Sequence, residues 1–227
     1  YRKMKVAIVG CGFVGKAYVQ ALTTAHFVYV IDPALNTCKL SDHPHYDGII
    51  VCVPTPSNAD GSCDYSIVTE VMDTIPDPTT PVMIKSTIDL AAWKHLSAKY
   101  ANPLTFSPEF LRQDFADKDM KDNKYCILAG DDCNTWWSIL VSAPTFRHKI
   151  YRYCFKEVEE AIIMKYAVNS FLATKVMFFN QLKEFCDDNA LNFAKVRSMV
   201  ITDARIGPSH SNVTEQGGFG GACFPKD

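Results

Sequence analysis

The sequence predicts an α/β protein in which a doubly wound parallel sheet is followed by a long central helix and a small helical domain. Three observations support this prediction. Short apolar runs rich in Val and Ile alternate with helical stretches in the first part of the chain. A glycine-rich turn joins the first apolar run to the first helical stretch. Residues 156–187 contain neither Gly nor Pro, which predicts one uninterrupted helix.

Composition argues against several classes of protein. The chain has 227 residues, of which 48% are hydrophobic, and a formal net charge of −2. Because neither charge sign forms a long run, we expect no nucleic-acid partner and no membrane partner. We also expect no apolar run long enough to span a membrane. The nine cysteines lack CxxC spacing, which argues against a disulfide framework and a zinc site. We therefore expect no bound metal and a cytoplasmic location.

The first strand and helix enclose a pattern typical of dinucleotide binding. Residues 5–9 predict a buried strand, residues 16–24 predict a helix, and GxGxxG lies between them. The first glycine permits a tight turn, the second lets backbone approach a pyrophosphate, and the third lets the helix pack on the strand. The helix N-terminus then faces phosphate charge. The cofactor-binding residues predicted in this loop are Gly10, Gly12, Phe13, Val14 and Gly15.

A second strand, predicted at residues 27–31, leads directly to Asp32, which lies 20 residues after Gly12. A carboxylate at this position accepts hydrogen bonds from a ribose diol and repels a 2′-phosphate. Pro33 and Ala34 follow, and no arginine is close behind. The sequence therefore predicts a Rossmann-type domain that binds NAD rather than NADP.

Further strands are predicted at residues 48–53, 81–84, 104–106 and 125–129. In an open parallel sheet the ligand lies beyond the carboxyl ends of the strands. Pro54 and Thr55 follow the first of these strands and Thr87 follows the second, so all three are predicted to bind the cofactor. Glu109 follows the third strand, beside Phe110. A lone glutamate is usually solvated, but this position makes a catalytic role an equal alternative.

The long helix opens a second predicted domain. We expect residues 1–153 to form the NAD-binding domain and residues 154–227 a central helical domain, with a shorter helix at residues 192–201. Lys165 and Asn169 lie one turn apart on one face of the long helix. A solvated lysine is the usual alternative. Here the apolar neighbours favour partial desolvation, which suits a lysine that transfers protons.

The final residues, 217–227, place Cys223 in a glycine-rich loop. Glycine lets backbone pass close to a ligand, and Pro225 fits the first turn of a helix. A thiol near a helix N-terminus and beside Lys226 could be deprotonated and act as a nucleophile. From these residues alone, a glycine-rich turn with a buried structural cysteine is an equal alternative.

The motifs follow one order along the whole chain: GxGxxG with a downstream acid, VPTP, KST, SPEFLR, a helix with Lys165 and Asn169, DxRIG and GFGGxCFPKD. In this combination the chain resembles the UDP-glucose/GDP-mannose dehydrogenase family, most closely its UDP-glucose 6-dehydrogenase branch. The resemblance implies NAD-dependent four-electron oxidation of the C6 alcohol of a nucleotide sugar, UDP-glucose to UDP-glucuronate, through a cysteine thiohemiacetal and thioester.

Three alternatives stay open at this point. The same chemistry could act on GDP-mannose or a UDP-N-acetylhexosamine, or the chain could bind the cofactor without turnover. A two-electron hydroxyacid dehydrogenase is the third alternative, but Cys223 argues against it because that chemistry needs no thiol.

The resemblance also implies catalytic roles. Cys223 resembles the nucleophile, and Lys165 and Asn169 resemble the pair that handles the reacting hydroxyl and its oxyanion. Asp227 resembles the carboxylate that, with Thr87 and a water, assists proton removal.

Glu109 resembles the acid/base of thioester hydrolysis. Arg205 resembles an arginine that reaches the substrate of a neighbouring subunit, which implies a homodimer. We expect the central helix to form the dimer contact, because it is apolar around much of its circumference. The residues similar to those that line the sugar site are Phe110, Leu111, Arg112, Phe219, Gly220 and Gly221.

The chain departs from the family pattern in four respects. Family members carry a further C-terminal nucleotide-sugar domain, which is absent here, so we expect a fragment. Gln113 stands where the family usually has a second glutamate. Only 18 residues separate Asp32 from Val51, so one strand and one helix of the sheet are expected to be missing. Asp89-Leu90 replaces the usual Pro-Val after the KST motif.

Overall fold

The structure, a computed structural model, describes residues 2–35, 37–148, 151–215 and 217–220. The chain divides into two compact units, Tyr1–Ile163 and Met164–Asp227, and each is described by itself. The domain boundary predicted at residues 153/154 stays a prediction.

The first unit is built around a seven-stranded sheet. Its strands are β1 (Lys5–Val9), β2 (Phe27–Ile31), β3 (Gly48–Val51), β4 (Val82–Ile84), β5 (Leu104–Phe106), β6 (Tyr125–Gly130) and β7 (Tyr151–Phe155). Their spatial order is β2-β1-β3-β4-β5-β6-β7. The chain first moves from β1 to β2 and then crosses back to β3 on the other side of β1. A crevice therefore forms beyond the carboxyl ends of β1 and β3, as in other doubly wound sheets. The predicted Rossmann-type fold is confirmed.

The helices flank this sheet and then continue into the second unit. They are α1 (Phe13–Leu22), α2 (Ser66–Asp73), α3 (Leu90–Lys99), α4 (Ala116–Asp122), α5 (Cys133–Ser142), α6 (Pro144–Arg147), α7 (Val158–Asp188) and α8 (Phe193–Val200). The sequence patterns do not predict α4, α6 or β7. The seven residues of α4 bury only Ala116 and Met120, α6 has four residues, and β7 is largely exposed, so none shows a clear apolar periodicity.

A parallel sheet was predicted, but one pair of neighbouring strands is antiparallel. Strands β1 to β5 are parallel, but β6 pairs antiparallel to β5, and β7 is parallel to β6. An apolar run carries no information about strand direction, so the sequence could not reveal this reversal. At the antiparallel pair Gly130 has a φ of 122°, and a Cβ there would lie 2.4 Å from the carbonyl oxygen of Leu104. Glycine permits this close approach.

The segment between β2 and β3 is short. Within residues 33–35 and 37–47 the structure has two 3-10 turns, Pro33–Leu35 and Leu40–Asp42, and no strand. A buried cluster on one face of the sheet includes Tyr18 from α1, Trp136 from α5 and Phe146 from α6.

The long helix α7 spans Val158–Asp188, close to the predicted range. Within α7, 18 consecutive residues have a mean hydropathy of 1.3, and 22% of them are buried. By length and composition α7 could therefore cross a membrane. The expectation that no apolar run reaches this length is therefore wrong. Length and composition do not separate a membrane helix from a helix that packs against protein.

Candidate active site

The turn between β1 and α1 leaves no room for side chains at two of its glycines. Gly10 has a φ of 86°, and a Cβ there would lie 2.7 Å from the carbonyl oxygen of Cys52. A Cβ on Gly15 would lie 2.0 Å from the carbonyl oxygen of Gly10. The turn therefore packs backbone against backbone at the carboxyl ends of β1 and β3, which requires glycine at both positions.

The second glycine of the motif, Gly12, faces open space among the described residues. Gly12 is the N-cap of α1, and a Cβ built on it meets nothing within 4 Å. Phe13 and Val14 open the helix and are half-buried. The first turn of α1 contains no acidic residue, and no side chain caps it. Its N–H groups and the positive end of the helix dipole thus suit an anionic pyrophosphate.

Asp32 is fixed beside this turn, at the carboxyl end of β2. Its Oδ2 accepts a hydrogen bond from the backbone N–H of Cys11 at 2.6 Å, and its Oδ1 accepts one from Ala34 at 2.9 Å. The carboxylate therefore lies against the glycine turn, where an adenosine ribose would be recognised by its diol and a 2′-phosphate repelled. The glycine turn, the α1 N-terminus and Asp32 together fit NAD.

The carboxyl ends of β3 and β4 are tied together by hydroxyl groups. Thr55 is buried, and its Oγ1 donates to the carbonyl oxygen of Thr87 at 2.7 Å. The Ser86 hydroxyl donates to the carbonyl oxygen of Val53 at 2.7 Å. Pro54 is exposed and Thr87 is half-buried. These bonds fix the backbone at the crevice edge and bring the predicted residues Thr55 and Thr87 into direct contact.

Glu109 lies in a buried charge cluster at the carboxyl ends of β4 and β5. Its Oε2 accepts from the Nζ of Lys85 at 2.9 Å, with side-chain exposures of 12% for Glu109 and 2% for Lys85. Its Oε1 accepts from the backbone N–H of Phe110 at 3.0 Å. Lys85 also donates to Ser107 Oγ at 3.1 Å. Lys85 was not among the predicted site residues, although it is the first residue of the KST motif. Its position at the end of a predicted strand is the one sequence feature that could have indicated it.

Tyr18 completes this cluster from α1. Lys85 Nζ lies 5.0 Å from the centroid of the Tyr18 ring, and the Tyr18 hydroxyl hydrogen-bonds to Glu109. Burial, with a smaller effect of the negative charge on Glu109, holds the pKa of Tyr18 well above its usual value. Tyr18 thus stays protonated and donates to the carboxylate. Tyr18, Lys85 and Glu109 line one pocket, together with Phe110 and Leu111.

The segment after Glu109 places its predicted substrate residues differently. Phe110 packs edge-to-face on Tyr125, and Leu111 is buried. Arg112 is exposed and forms a two-pronged ion pair with Asp119, at 2.9 Å from Nε and 2.6 Å from Nη2. The hydrogen bonds from Arg112 hold the pKa of Asp119 below its usual value. If the Arg112 guanidinium binds substrate, it must therefore do so while it is paired with Asp119.

The second unit buries the polar pair predicted on α7. Lys165 is 4% exposed and Asn169 is 6% exposed, one helical turn apart. Further along α7, Asn180 Oδ1 accepts from the backbone N–H of Gly218 at 3.0 Å, which attaches the start of the glycine-rich loop to the helix. Arg205 has a side chain that is 89% exposed and pairs with Asp203.

The remaining predicted residues belong to the glycine-rich loop. Phe219 is 42% exposed, and a Cβ built on Gly220 meets no atom of the described residues within 4 Å. Gly221, Cys223 and Asp227 lie outside the described residues, so their predicted roles stay predictions. The structure brings together the predicted cofactor residues around the glycine turn, and Lys165 with Asn169.

Comparison with known proteins bears on this site. Residues 34–152 match the NAD binding domain of the UDP-glucose/GDP-mannose dehydrogenase family, and residues 159–227 match its central domain. A UDP-glucose 6-dehydrogenase of Streptococcus pneumoniae is 29% identical, with 99% of this chain and 67% of that protein aligned. One of Rickettsia typhi is 28% identical, over 82% of this chain and 44% of that protein.

Solved structures agree in fold. The UDP-glucose dehydrogenase of Pyrobaculum islandicum superimposes with a TM-score of 0.81 at 22% identity, covering 99% of this chain and 62% of that one. The chain thus spans between about two fifths and two thirds of these relatives. The match to the NAD binding domain begins directly after the glycine turn and Asp32, and the cofactor is NAD. The chain belongs to the UDP-glucose/GDP-mannose dehydrogenase family.

Proposed function

We propose that the protein oxidises the C6 alcohol of UDP-glucose to the carboxylate of UDP-glucuronate, with NAD. The observation that carries this proposal is the burial of Lys165 and Asn169 one turn apart on α7. A desolvated lysine and an amide on one helix face suit a hydroxyl that must lose a proton and then carry negative charge. The choice of UDP-glucose rests on relatives named UDP-glucose 6-dehydrogenase at 28% and 29% identity.

The first oxidation converts the alcohol to an aldehyde. NAD, when bound, accepts one hydride in each of the two oxidations. Lys165 and Asn169 hold the reacting oxygen and stabilise its developing negative charge. Thr87 and Asp227 assist removal of the hydroxyl proton through a water. A buried ammonium and a neutral amide can act in both oxidations, because each produces a partly negative oxygen at the same carbon.

The second oxidation requires the thiol. Cys223 adds to the aldehyde as a thiolate and forms a thiohemiacetal, which is oxidised to a thioester. Glu109 then acts on the water that hydrolyses the thioester and releases Cys223 as a thiol. Lys85 and Tyr18 contact the Glu109 side chain, and they therefore set the charge and orientation with which it meets that water.

The test is an assay of the complete gene product with UDP-glucose, GDP-mannose and UDP-N-acetylmannosamine in parallel. We expect two equivalents of NADH per UDP-glucuronate and no comparable rate with the other two sugars. A faster rate with either of those would replace UDP-glucose as the substrate and keep the chemistry. NAD binding without NADH formation on any sugar would favour a cofactor-binding protein without turnover.

The covalent step is tested by Cys223→Ser. A serine hydroxyl without a histidine partner is a poor nucleophile at neutral pH, whereas a few per cent of an ordinary thiol is ionised there. We expect the overall oxidation to be lost and NAD binding to be kept, with Cys38→Ser as the control that keeps both. Iodoacetamide should inactivate the native protein at Cys223, and substrate should protect it. Full activity of Cys223→Ser would rule out the covalent mechanism.

We also propose that α7 joins two copies of the chain. Phe171, Phe178 and Phe185 follow one another at intervals of seven residues, and their exposures are 67%, 53% and 61%. This spacing is that of an interface between helices, and so large an exposed apolar stripe is unusual on a monomer. We expect a dimer in sedimentation at micromolar concentration and a monomer for Phe178→Asp. Only monomer in the native protein, or solubility only in detergent, would contradict the proposal.

A further inference from the structure

Two cysteines far apart in the sequence meet where α5 lies against the edge strand β7. Arg152 and Cys154 are two residues apart on β7, so their side chains share one face of the strand. Arg152 donates to Asn134 Oδ1 at 2.6 Å and lies 5.4 Å from the ring of Trp137, and both residues belong to α5. This face of β7 is therefore turned toward α5.

Cys133 is the first residue of α5, so Cys154 lies near it at the same contact. The charge of Cys154 is the second cause of the raised pKa of the Cys133 thiol, so the two side chains lie within electrostatic reach of each other. Both residues belong to the first unit, and β7 is held in register by β6, where Cys154 pairs with Leu128. A disulfide forms between two cysteines whose Cα atoms lie within about 7 Å and whose Cβ atoms face each other.

The two thiols differ in accessibility. Cys154 is exposed, and the Nε of Arg152 lies 3.2 Å from its sulfur. Cys133 is 8% exposed and donates to the carbonyl oxygen of Gly130 at 3.2 Å. Burial, and next the charge of Cys154, raise the pKa of Cys133 to about 12. A reagent in solution therefore reaches Cys154 first, beside a fixed positive charge. The buried Cys133 thiol can react only in a second step.

We propose that Cys133 and Cys154 form a modification site that low-molecular-weight disulfides convert to an intramolecular disulfide. Cys154, as a thiolate, attacks one sulfur of the reagent, breaks its S–S bond and releases one thiolate product. Cys133 then loses its proton and attacks the Cys154 sulfur of the mixed disulfide, which releases the second thiolate. Two protein thiols are oxidised to one disulfide, one reagent disulfide is reduced to two thiols, and the two protons pass to those products.

The site is separate from the reaction proposed above, because neither cysteine has a role in it. The new bond would join β7 to α5, so that an edge strand whose first four residues are exposed becomes covalently attached to the helix beside it. A cross-link between residues 133 and 154 also restricts the unfolded chain, which raises stability. Oxidation should therefore raise the midpoint of thermal unfolding without any substrate or cofactor present.

The experiment uses the complete chain carrying Cys223→Ser, so that the predicted nucleophile does not compete for the reagent. The protein is incubated with oxidised glutathione, denatured in an alkylating agent and mapped by mass spectrometry. We expect peptides linked through Cys133 and Cys154, a loss of two free thiols, a higher unfolding midpoint, and full reversal by dithiothreitol. Arg152→Met should slow the loss of the first thiol, because the positive charge beside Cys154 is removed.

Single variants separate the two steps. Cys133→Ser should keep glutathione on Cys154, because no second thiol releases it, and Cys133→Ala serves if the serine variant does not fold. Cys154→Ser should leave Cys133 unmodified, because that thiol is buried. Cys38 is the control: it should form no cross-link. The proposal is overturned if both thiols stay free after incubation, if glutathione persists on Cys154 while Cys133 is present, or if Cys133 reacts in the Cys154→Ser variant.

Discussion

Two sites lie at the carboxyl edge of the same sheet, and they are built from different parts of the chain. The glycine turn beside Asp32 is made of backbone, which approaches so closely that a Cβ on Gly15 would lie 2.0 Å from a carbonyl oxygen. The cluster of Tyr18, Lys85 and Glu109 is made of side chains. The Lys85 ammonium lies 2.9 Å from the Glu109 carboxylate, and both side chains are largely buried.

The two sites should tolerate different kinds of substitution. The glycine turn is limited by space at Gly10 and Gly15, so its stability is sensitive to any atom added at either position. The Lys85–Glu109 cluster is limited by charge, because removing one member of a buried ion pair leaves the desolvation of the other without compensation. Substitutions that add volume should therefore damage the first site, and substitutions that remove charge should damage the second.

The largest effect is expected for Gly15→Ala. The added methyl group collides with the carbonyl oxygen of Gly10, which is backbone and cannot rotate away. We expect the free energy of unfolding to fall by about 4 kcal/mol or more, a loss that is typical of severe defects in a protein core. Urea unfolding of the purified protein measures this free energy.

Gly12→Ala is the matched control, because within the described part of the chain a Cβ at Gly12 meets nothing within 4 Å. We expect its stability to stay within about 1 kcal/mol of the native value and its NAD affinity to fall, since the methyl group occupies the space of the approaching pyrophosphate. Equal stability of the two variants would show that the glycine turn is not limited by space.

The second effect is expected for Lys85→Met. Loss of the ammonium beside the buried Glu109 should destabilise the fold by about 3–5 kcal/mol. The double variant Lys85→Met/Glu109→Gln should recover a large part of this loss, because no buried charge remains to be compensated. The coupling is read from a double-mutant cycle of unfolding free energies.

The same substitution at an exposed ion pair is the control for this cycle. Lys99 pairs with Asp73 at 2.9 Å, with side-chain exposures of 40% and 52%. Lys99→Met should have a much smaller effect than Lys85→Met, because solvent screens the exposed pair. If both substitutions cost the same, burial does not explain the importance of Lys85.

Features that depend on local sequence patterns could be predicted from the sequence. The glycine turn, Asp32 and the central strands were predictable, because glycine spacing and apolar runs are local patterns that carry their own physical reason. The boundaries of α7 were also predictable within two residues from the lack of Gly and Pro. In each case the information lies within one stretch of the chain.

Features that depend on long-range pairing were not predictable. Glu109 meets Lys85 from 24 residues away, and Tyr18 joins them from α1, so no local pattern indicates the cluster. The antiparallel direction of β6 likewise depends on how the chain returns after β5. The direction of a strand and the partner of a buried charge are both set by tertiary packing, which a single sequence does not display.

The third effect concerns the charged residue that belongs to the glycine turn. Asp32→Ala should weaken NAD binding by about 1–3 kcal/mol, the range for lost hydrogen bonds to a charged group. Asp32→Asn should weaken it less, because an amide keeps an acceptor for the ribose and for the N–H of Cys11. Both variants should lose discrimination against NADP, as measured by calorimetry with each cofactor. Equal binding of NADP and NAD by the native protein would contradict the role of Asp32.

The smallest effect is expected at the exposed ion pair of Arg112 and Asp119, and it depends on pH. Hydrogen bonds from Arg112 lower the pKa of Asp119 from 3.8, so the pair adds stability above pH about 4 and loses it as the pH falls through the lowered value. Asp119→Asn should therefore cost up to about 1 kcal/mol at neutral pH, since the Arg112 side chain is 60% exposed and screened by solvent. The difference from the native protein should shrink as unfolding is measured at lower pH, because both proteins then lack the charge. A cost that stays constant down to pH about 2 would assign the effect of Asp119 to its backbone hydrogen bond with Arg112 rather than to the ion pair.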